Sequence, residues 1–410
     1  MNVLHINQSD LVGGASIAGY RLHQGLLGQG VESRLIAGGK ISGSEQVTTI
    51  PARDYRREKL LNRLTSQLSL HYLHISGTFK IQDHSFYQAA NVLNLHNLHG
   101  DYFNYLALPS LTEHKPAVWT LHDMWSFTGH CSYSYDCDRW KTGCGQCPYP
   151  ETYPAITKDI SGWEWKLKNW LYGRSQLAIV APSKWLYEQA QQSMFSQSAK
   201  IHHIPYGLDT DLYRPIDKAM CREVLGIPAA KKVLMFSAQS LNNRRKGADL
   251  LIQALAQLPE PLKAEIVLLT LGKLGANLFQ QTKIETLALG YLDSDRIKAI
   301  AYGAADLFIL PTRADNLPLV LQESMACGTP MVSFAVGGVP DLVRPGITGE
   351  LARPEDASHL SEQIAKLLED DQLRQQMGEN CRSIAVAEYA LAVQAKAYMK
   401  VYDRLLKPGE

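Results

Sequence analysis

Residues 315–323 of this 410-residue chain read DNLPLVLQE, and the rest of the sequence is best understood from this stretch outward. The apolar run at 306–311 just before it predicts a buried strand. Pro318 suits the first turn of a helix, where its missing N–H costs no hydrogen bond. The helix is predicted to run to Cys327 and to end at Gly328, which can take the left-handed conformation of a helix cap. The stretch therefore predicts a strand, a loop and a helix in succession.

The start of this helix predicts an anion site. Backbone N–H groups at a helix N-terminus have no partner within the helix, and the helix dipole favours negative charge there. The amides near Asn316, Leu317 and Leu319 could therefore bind a phosphate group. Asp315 on the loop and Glu323, about two turns into the helix, could then bind hydroxyl groups on either side of that phosphate.

At these residues the chain resembles glycosyltransferase family 4, the retaining sugar-nucleotide transferases of the GT-B fold. That family carries two glutamates separated by seven residues and followed by an Ala/Cys-Gly-Thr-Pro stretch. Here Asp315 stands at the first glutamate, Glu323 at the second, and CGTP follows at 327–330. The first position departs from the family, because Asp is shorter than Glu by one methylene.

The resemblance implies an α/β fold of GT-B type, with two Rossmann-like doubly wound domains facing a central cleft. The first domain is predicted to span residues 1–208 and to regain 388–410 through a returning C-terminal helix. The second, at 209–387, is predicted to bind the nucleotide sugar. The chain length agrees with this division, because 410 residues suit two domains better than one core.

Composition and charge exclude several classes of protein. The formal net charge is +1, and no RNA- or DNA-binding module is recognisable, so no nucleic-acid partner is expected. The N-terminus lacks the basic and long apolar regions of a signal peptide. No apolar run approaches the roughly 20 residues that span a bilayer. We therefore expect a cytoplasmic protein, which can also work at the inner face of the membrane.

The opening of the chain predicts a second phosphate-binding turn. A short apolar strand is followed by Gly13-Gly14 and then by a helical pattern. Glycines let a backbone approach a diphosphate closely, although the spacing here is not that of the dinucleotide fingerprint. The resemblance puts Gly13 and Gly14 against the donor diphosphate or the acceptor. A tight turn with no ligand is the alternative.

Histidines follow two of the predicted strands in the first domain. His96 and His99 come after one strand and His122 after the next, and ligands of α/β sheets bind at the carboxyl ends of strands. The resemblance makes His122 a catalytic-site residue that contacts the transferred sugar. His96 and His99 are weaker candidates.

A basic loop opens the second domain. Residues 242–247 read NNRRKG between a predicted strand and a helix, and clustered cations there suit a diphosphate. Lys246 matches the lysine that the family places before a glycine. Gln239 stands near the position of the family's arginine, so Arg244 or Arg245 is expected to supply that charge. Further on, the loop containing Tyr291 is the one that holds the base in the family.

The resemblance implies a retaining transfer from a UDP- or GDP-linked sugar to a saccharide or lipid-linked saccharide, in envelope or exopolysaccharide synthesis. Lys246 and an adjacent arginine would stabilise the leaving diphosphate, Glu323 would bind the ribose, and Asp315 and His122 would hold the sugar. No catalytic metal is expected. Two alternatives stay open: a non-catalytic sugar-nucleotide-binding protein, and a GT-B enzyme that hydrolyses or epimerises its nucleotide sugar.

A basic amphipathic segment lies at residues 53–68. Its basic residues are Arg53, Arg56, Arg57, Lys59 and Arg63, and the leucines at 60, 61, 64 and 68 fall at helical spacing. Such a helix can lie on an anionic membrane surface, which makes peripheral membrane contact one prediction. A helix packed on its own domain is the other.

Four of the seven cysteines cluster at Cys131, Cys137, Cys144 and Cys147. Only the last pair has the two-residue gap usual in zinc sites. A structural zinc would order a segment that is too short to build its own core. Two disulfides, which a reducing cytoplasm disfavours, and four unlinked thiols are the alternatives.

Overall fold

The structure is a computed structural model that describes residues 1–51, 55–273 and 280–407. The chain divides into two compact units, the first formed by Met1–Gly207 and the residues from Leu391 onward, the second by Leu208–Ala390. These boundaries lie within three residues of those predicted at 208/209 and 387/388.

Unit 1 is built on a parallel sheet whose strands occur in the order β3-β2-β1-β4-β5-β6-β7. The strands are β1 Asn2–Ser9, β2 Glu32–Gly39, β3 Val47–Thr49, β4 Val92–Leu95, β5 Ala117–Thr120, β6 Leu177–Ala181 and β7 Lys200–His203. The helices are α1 Gly14–Leu27, α2 Tyr55–Gln67, α3 Ser85–Ala89, α4 Leu108–Thr112, α5 Ser161–Tyr172, α6 Lys184–Gln191 and α7 Phe195–Ser198.

Unit 2 contains a second parallel sheet, in the order β10-β9-β8-β11-β12-β13. Its strands are β8 Lys232–Ser240, β9 Ile266–Lys273, β10 Glu285–Ala288, β11 Leu307–Leu310, β12 Met331–Phe334 and β13 Gly349–Ala352. Its helices are α8 Lys218–Leu225, α9 Ala248–Ala256, α10 Glu260–Glu265, α11 Asp295–Ala304, α12 Leu319–Ala326, α13 Val339–Leu342, α14 Ala357–Glu369 and α15 Asp371–Tyr389. The chain then returns to unit 1 as α16, Leu391–Leu406.

The central strands are short and apolar because helices cover both faces of each sheet. β11 reads LFIL and β12 reads MVSF, and every residue of both is buried. The strand predicted before residue 315 is therefore confirmed. The predicted helix is confirmed as α12, with Pro318 as its N-cap and Gly328 just beyond its end at φ 74°.

The last helix belongs to the core of unit 1. Ala395, Tyr398 and Tyr402 of α16 are buried in one apolar cluster with residues of α1 and of the sheet. The Nδ2 of Asn94 donates to the hydroxyl of Tyr402 at 2.6 Å. A side chain in place of Gly25 would bring a Cβ within 3.2 Å of a backbone oxygen of α16, so this glycine permits the close approach of α1. No helix among the described residues is long and apolar enough to cross a membrane.

Candidate active site

In the sheet of unit 2 the order in which successive strands are added reverses between β8 and β11, and the candidate site lies at this point. Strand order runs from β8 to β10 on one side and from β11 to β13 on the other. Ligands of open parallel sheets bind at such a switch point, beside the carboxyl ends of the strands. The loop 241–247 follows β8 and the loop 311–318 follows β11. The two predicted motifs of this unit are therefore neighbours in the fold, although about 70 residues separate them in sequence.

A carboxylate and two cations meet where these loops touch. Asp315 Oδ2 accepts a hydrogen bond from Lys246 Nζ and lies 3.2 Å from Arg245 Nη1. Arg245 Nη1 also donates to the carbonyl of Ala314 at 2.5 Å. Arg245 is therefore the arginine that the structure brings to this cluster. Arg244 is exposed, and its carbonyl oxygen accepts from Arg313 at 2.6 Å.

The charges of this cluster support one another. Burial raises the pKa of Asp315, but attraction to Lys246 and Arg245 outweighs it and lowers the pKa below its usual value. Asp315 is therefore ionised at neutral pH. Two cations face one carboxylate, so the cluster carries a net positive charge in the absence of a ligand. That charge suits an anion such as a diphosphate.

Glycines let the loops pack this closely. Gly247 has φ 74°, and a Cβ on it would lie 1.8 Å from the carbonyl oxygen of Pro311. Gly337, in the loop after β12, has φ 52°, and a Cβ there would lie 2.1 Å from the carbonyl oxygen of Asp315. The amide of Gly338 donates to that same oxygen at 3.1 Å. Side chains at 247 and 337 would therefore displace the backbone that carries Lys246 and Asp315.

Arg313 braces the two loops and was not predicted from the sequence. Its guanidinium binds both carboxylate oxygens of Asp249 at 2.8 and 2.7 Å, and its Nε donates to Glu355 at 2.9 Å. Its amide donates to the carbonyl of Arg245 at 2.8 Å. The sequence did contain a signal for it, because an arginine two residues before Asp315 is expected to form an ion pair. That the partner is Asp249 follows only from the fold.

Glu323 lies on the buried face of α12. It is 6% exposed, and one of its carboxylate oxygens accepts from the Tyr302 hydroxyl at 3.1 Å. The helix begins at Leu319, one residue later than predicted. Of the three amides predicted to bind phosphate, only that of Leu319 therefore belongs to its first turn. The amides of Asn316 and Leu317 lie just before the cap, in residues that are buried.

Tyr291 lies apart from this cluster within unit 2. It follows β10, the edge strand, which β9 and β8 separate from β11. Its ring is 41% exposed, and the ammonium of Lys273 lies 5.3 Å from the ring centroid. Gln239, near the position of the family's arginine, is an exposed residue of β8. The predicted roles of Tyr291 and of the α12 residues stay predictions.

In unit 1 three histidines and a tyrosine form a chain of hydrogen bonds that is buried except at His122, which is half-buried. His5 Nδ1 lies 2.9 Å from His96 Nε2, and His96 Nδ1 lies 3.1 Å from His122 Nε2. His122 Nδ1 lies 2.7 Å from the hydroxyl of Tyr206. These hydrogen-bonded side chains extend across β1 and the ends of β4 and β5, beside the switch point of this sheet. The sequence predicted His122 and His96 there but not His5 or Tyr206.

One buried nitrogen without a partner indicates which nitrogen of each histidine donates and which accepts. His5 Nε2 is buried and has no hydrogen-bond partner among the described residues. A buried N–H without an acceptor is rarer than an unused acceptor, so the His5 proton belongs on Nδ1. His5 then donates to His96, His96 donates to His122, and His122 donates from Nδ1 to Tyr206. Both ring nitrogens of His122 are thus used inside unit 1, and a sugar hydroxyl would have to replace one of these partners.

Burial keeps these imidazoles neutral. It lowers the pKa of His122 to about 4 and the pKa of His5 and His96 well below the usual 6.5. His23, whose ring packs edge-on against His5, has its pKa lowered to about 4 for the same reason. These histidines therefore supply oriented neutral donors and acceptors at pH 7 rather than charge.

The other predicted residues of unit 1 lie after β1 and after β4. His99 Nε2 is 2.9 Å from a carboxylate oxygen of Asp123, whose second oxygen accepts the Trp125 amide at 2.9 Å. Gly13 has φ 89°, which disfavours any side chain, and it caps α1. Gly14 does not have a positive φ, and a Cβ added to it would meet no atom within 4 Å. The turn therefore requires the first glycine of the pair and not the second.

The four clustered cysteines are free thiols in the structure. Cys144 Sγ accepts the amide of Gly129 at 3.2 Å, and Cys147 Sγ lies 3.1 Å from His130 Nε2. Within the described part of the chain, no three His, Cys, Asp or Glu side chains are grouped so that they could hold a metal ion. The structural zinc therefore stays a prediction.

Elemental analysis tests that prediction. If Cys131, Cys137, Cys144 and Cys147 bind zinc, protein purified without a metal-affinity tag should contain about one zinc per chain, since four thiolates complete a tetrahedral site. Cys144→Ser should lose the metal, whereas Cys221→Ser, a buried cysteine of unit 2, should keep it. A zinc content near zero, with thiol titration finding every cysteine free, would remove both the metal and the disulfides.

Comparison with solved structures defines the class of this fold. Sucrose-phosphate synthase from Thermosynechococcus elongatus is similar over 99% of this chain and 99% of its own, with a TM-score of 0.70 and 18% identity. HepE from Anabaena, solved in complex with UDP-glucose, is similar over 98% of this chain and 99% of its own, with a TM-score of 0.67 and 17% identity. The fold is GT-B, as predicted.

Sequence comparison gives the family. The model described as Glycosyltransferase Family 4 matches residues 12–212, and the model described as Glycosyl transferases group 1 matches residues 217–384. The chain belongs to glycosyltransferase family 4 and is an enzyme of the glycosyltransferase class.

Two relatives illustrate the range of the match. The putative colanic acid biosynthesis glycosyl transferase WcaC of Escherichia coli K12 is 28% identical over 354 residues, which is 81% of this chain and 83% of that protein. D-inositol 3-phosphate glycosyltransferase 1 of Catenulispora acidiphila is 36% identical over 186 residues, which is 42% of this chain and 44% of that protein. The second alignment thus spans less than half of either chain.

Proposed function

We propose that this enzyme transfers a sugar from a UDP- or GDP-linked donor to a saccharide or lipid-linked saccharide, with retention at the anomeric carbon. The observation that carries the proposal is the cluster of Lys246, Arg245 and Asp315 at the switch point of unit 2, with its net positive charge. The related fold of HepE, a protein solved with UDP and with UDP-glucose, supports a nucleotide-sugar donor. The likeness to WcaC, which is named as a putative colanic acid biosynthesis glycosyl transferase, supports a role in polysaccharide synthesis.

The two cations act on the leaving diphosphate. Negative charge develops on the phosphate oxygens as the glycosidic bond breaks, and cations fixed beside that position stabilise the transition state more than the ground state. Asp315 holds Lys246 and Arg245 in place before the donor binds. The donor then replaces part of this interaction, so the cations need little reorganisation.

Glu323 and the start of α12 bind the nucleotide. Ribose hydroxyls are donors, and a buried carboxylate oriented by the Tyr302 hydroxyl is a strong acceptor for them. The Leu319 amide and the positive end of the helix dipole assist at the phosphates. Asp315 holds the transferred sugar.

The proposal assigns no covalent glycosyl intermediate. Asp315 and Glu323 are used to hold cations and hydroxyls, unlike the paired carboxylates of retaining hydrolases. The sugar leaves through an ion-pair-like step, in which the C–O bond to the diphosphate breaks first. The departing phosphate oxygen takes the proton of the acceptor hydroxyl as the new glycosidic bond forms on the same face.

A thermal-shift screen of nucleotide sugars identifies the donor. A ligand at 100 times its dissociation constant should stabilise the protein by about 2.7 kcal/mol. The cognate donor should raise the melting temperature, and the corresponding free nucleoside diphosphate should retain much of the effect. No shift with any UDP- or GDP-linked sugar would contradict the proposed donor class.

Separate roles for the two carboxylates lead to a prediction. Glu323→Ala should weaken binding of free UDP or GDP by about 1.5–3 kcal/mol, since the ribose loses a charged acceptor. Asp315→Ala should lower transfer while sparing nucleotide affinity. Calorimetric titration of nucleotide into each variant measures the difference. Glu350→Gln is the control, because Glu350 is a buried carboxylate on β13 that pairs with Lys366. Equal losses at 315 and 323 would defeat the assignment.

A further inference from the structure

Helix α5 of unit 1 exposes two tryptophans. Trp163 and Trp170 are 50% and 52% exposed. They are seven residues apart in a helix, so they lie on one face two turns from each other. Indoles this exposed are uncommon on a protein in water, because each leaves a large apolar ring unburied. The pair is therefore a candidate contact surface.

The same face of α5 is cationic. Lys166 lies between the two tryptophans and is exposed, and Arg174, just after the helix, is exposed one turn further on. The Arg174 guanidinium lies 4.2 Å from the centroid of the Trp170 ring. The one carboxylate of the helix, Glu164, is buried on the opposite face and accepts from Tyr105. We call the exposed side chains of Trp163, Lys166, Trp170 and Arg174 the tryptophan face.

The opposite side of α5 is fixed to unit 1. Lys168 Nζ is buried and donates to the carbonyls of Trp125 and Thr128 at 2.8 and 3.0 Å. Trp165 Nε1 donates to the carbonyl of Trp140 at 2.8 Å. The helix is thus held without help from its exposed tryptophans. Their substitution should leave the fold intact.

The segment that enters α5 also contacts the end of the basic helix α2. Ser69 Oγ accepts the amides of Thr157 and Lys158 at 2.9 and 2.8 Å. α2 exposes further apolar and cationic side chains, at Arg56, Lys59, Leu60, Leu61 and Arg63. Arg53 lies outside the described residues, as does the side chain of Arg57. Direct hydrogen bonds therefore join the segment after α2 to the segment before α5, and each of these helices exposes apolar and cationic side chains.

We propose that the tryptophan face docks on an anionic phospholipid membrane, with α2 as a second contact. Indoles bury their rings at the depth of the lipid headgroups, and lysine and arginine beside them attract anionic lipid. The face contains aromatic and cationic groups and no exposed carboxylate, which matches an anionic lipid surface. The docking is a property of unit 1 and is measured without substrate, so it stands or falls independently of the transfer reaction.

Sedimentation with vesicles tests the proposal. The full chain should sediment with phosphatidylcholine vesicles that contain phosphatidylglycerol and bind pure phosphatidylcholine far more weakly. Trp163→Ala with Trp170→Ala should lower the partition coefficient about tenfold or more. Lys166→Gln with Arg174→Gln should lower it about fivefold per cation, and added salt should have the same effect.

A matched control comes from unit 2. Met220 and Val224 of α8 are 50% and 63% exposed, and their replacement by alanine should leave vesicle binding unchanged. Quenching of tryptophan emission by brominated lipid should be lost in the Trp163/Trp170 variant. The proposal is wrong if the unaltered protein does not bind anionic vesicles, or if the tryptophan variant binds as well as the original. It is also wrong if sedimentation velocity shows a dimer that this variant dissociates.

Discussion

Lys246→Ala should lower kcat by about 10²–10³-fold, a loss of about 3–4 kcal/mol of transition-state stabilisation. Lys246 donates to Asp315 and lies beside Arg245, in a cluster where burial lowers the lysine pKa and Asp315 opposes that effect. The charge that this ammonium meets grows as the diphosphate leaves, so its removal should affect turnover more than donor affinity. Steady-state kinetics with the identified donor separates the two effects.

The control for this experiment is another lysine in unit 2. Lys298 pairs with Asp295 one turn before it on the surface at 2.9 Å, and Lys298→Ala should leave kcat unchanged. Both variants should melt within a few degrees of the original protein. If Lys246→Ala raises only the Michaelis constant, Lys246 binds the ground state, and its proposed catalytic role is wrong.

Acidification from pH 7.5 to pH 5.5 should destabilise unit 1 strongly. His5, His23 and His96 are 0–1% exposed, and burial lowers the pKa of each below the usual 6.5. Below pH 6.5 these histidines therefore bind protons in the unfolded chain but not in the folded chain. The stabilisation is complete above pH 6.5 and is lost as the pH falls towards the folded pKa values, by about 1.4 kcal/mol per pH unit for each histidine. Together the three histidines should make the free energy of unfolding roughly 4 kcal/mol lower at pH 5.5 than at pH 7.5.

Urea unfolding at a series of pH values measures this dependence. His23→Gln should reduce the slope between pH 6.5 and 5.5 by about 1 kcal/mol per unit, whatever its effect on stability at pH 7.5. His114→Gln changes an exposed histidine and should leave the slope as it is. A stability that does not change over this pH range would mean that the imidazoles are hydrated or charged in the folded protein.

Local patterns in the sequence were sufficient to predict β11, α12 and the glycine after the helix. Each of these depends on the alternation of apolar, proline and glycine residues within about 20 positions. The contact between Lys246 and Asp315 joins residues 69 apart, and only the resemblance indicated that they share a site. The choice between Arg244 and Arg245 could not be made, because neighbouring residues of a single turn point in different directions. Arg313 was missed because its partner Asp249 lies on another element.

The histidine chain shows the same limit in unit 1. His122 and His96 were predicted because they follow strands, where ligands of parallel sheets bind. His5 lies within β1 and was read as part of a buried strand, although a histidine inside an apolar strand is itself a signal that needs a partner. Tyr206 was not predicted, and its contact with His122 depends on how the chain leaves β7. Register and loop direction, which no local pattern encodes, decide both contacts.

Release of nucleoside diphosphate from UDP- and GDP-linked sugars, with and without saccharide acceptors, tests the central claim most directly. One donor should be consumed at a rate that depends on the acceptor, and the product should keep the anomeric configuration of the donor. Lys246→Ala should nearly abolish this release. Equal release without any acceptor would make the enzyme a nucleotide-sugar hydrolase, and binding without any release would make the protein a non-catalytic binder. Either result would contradict the proposed transfer.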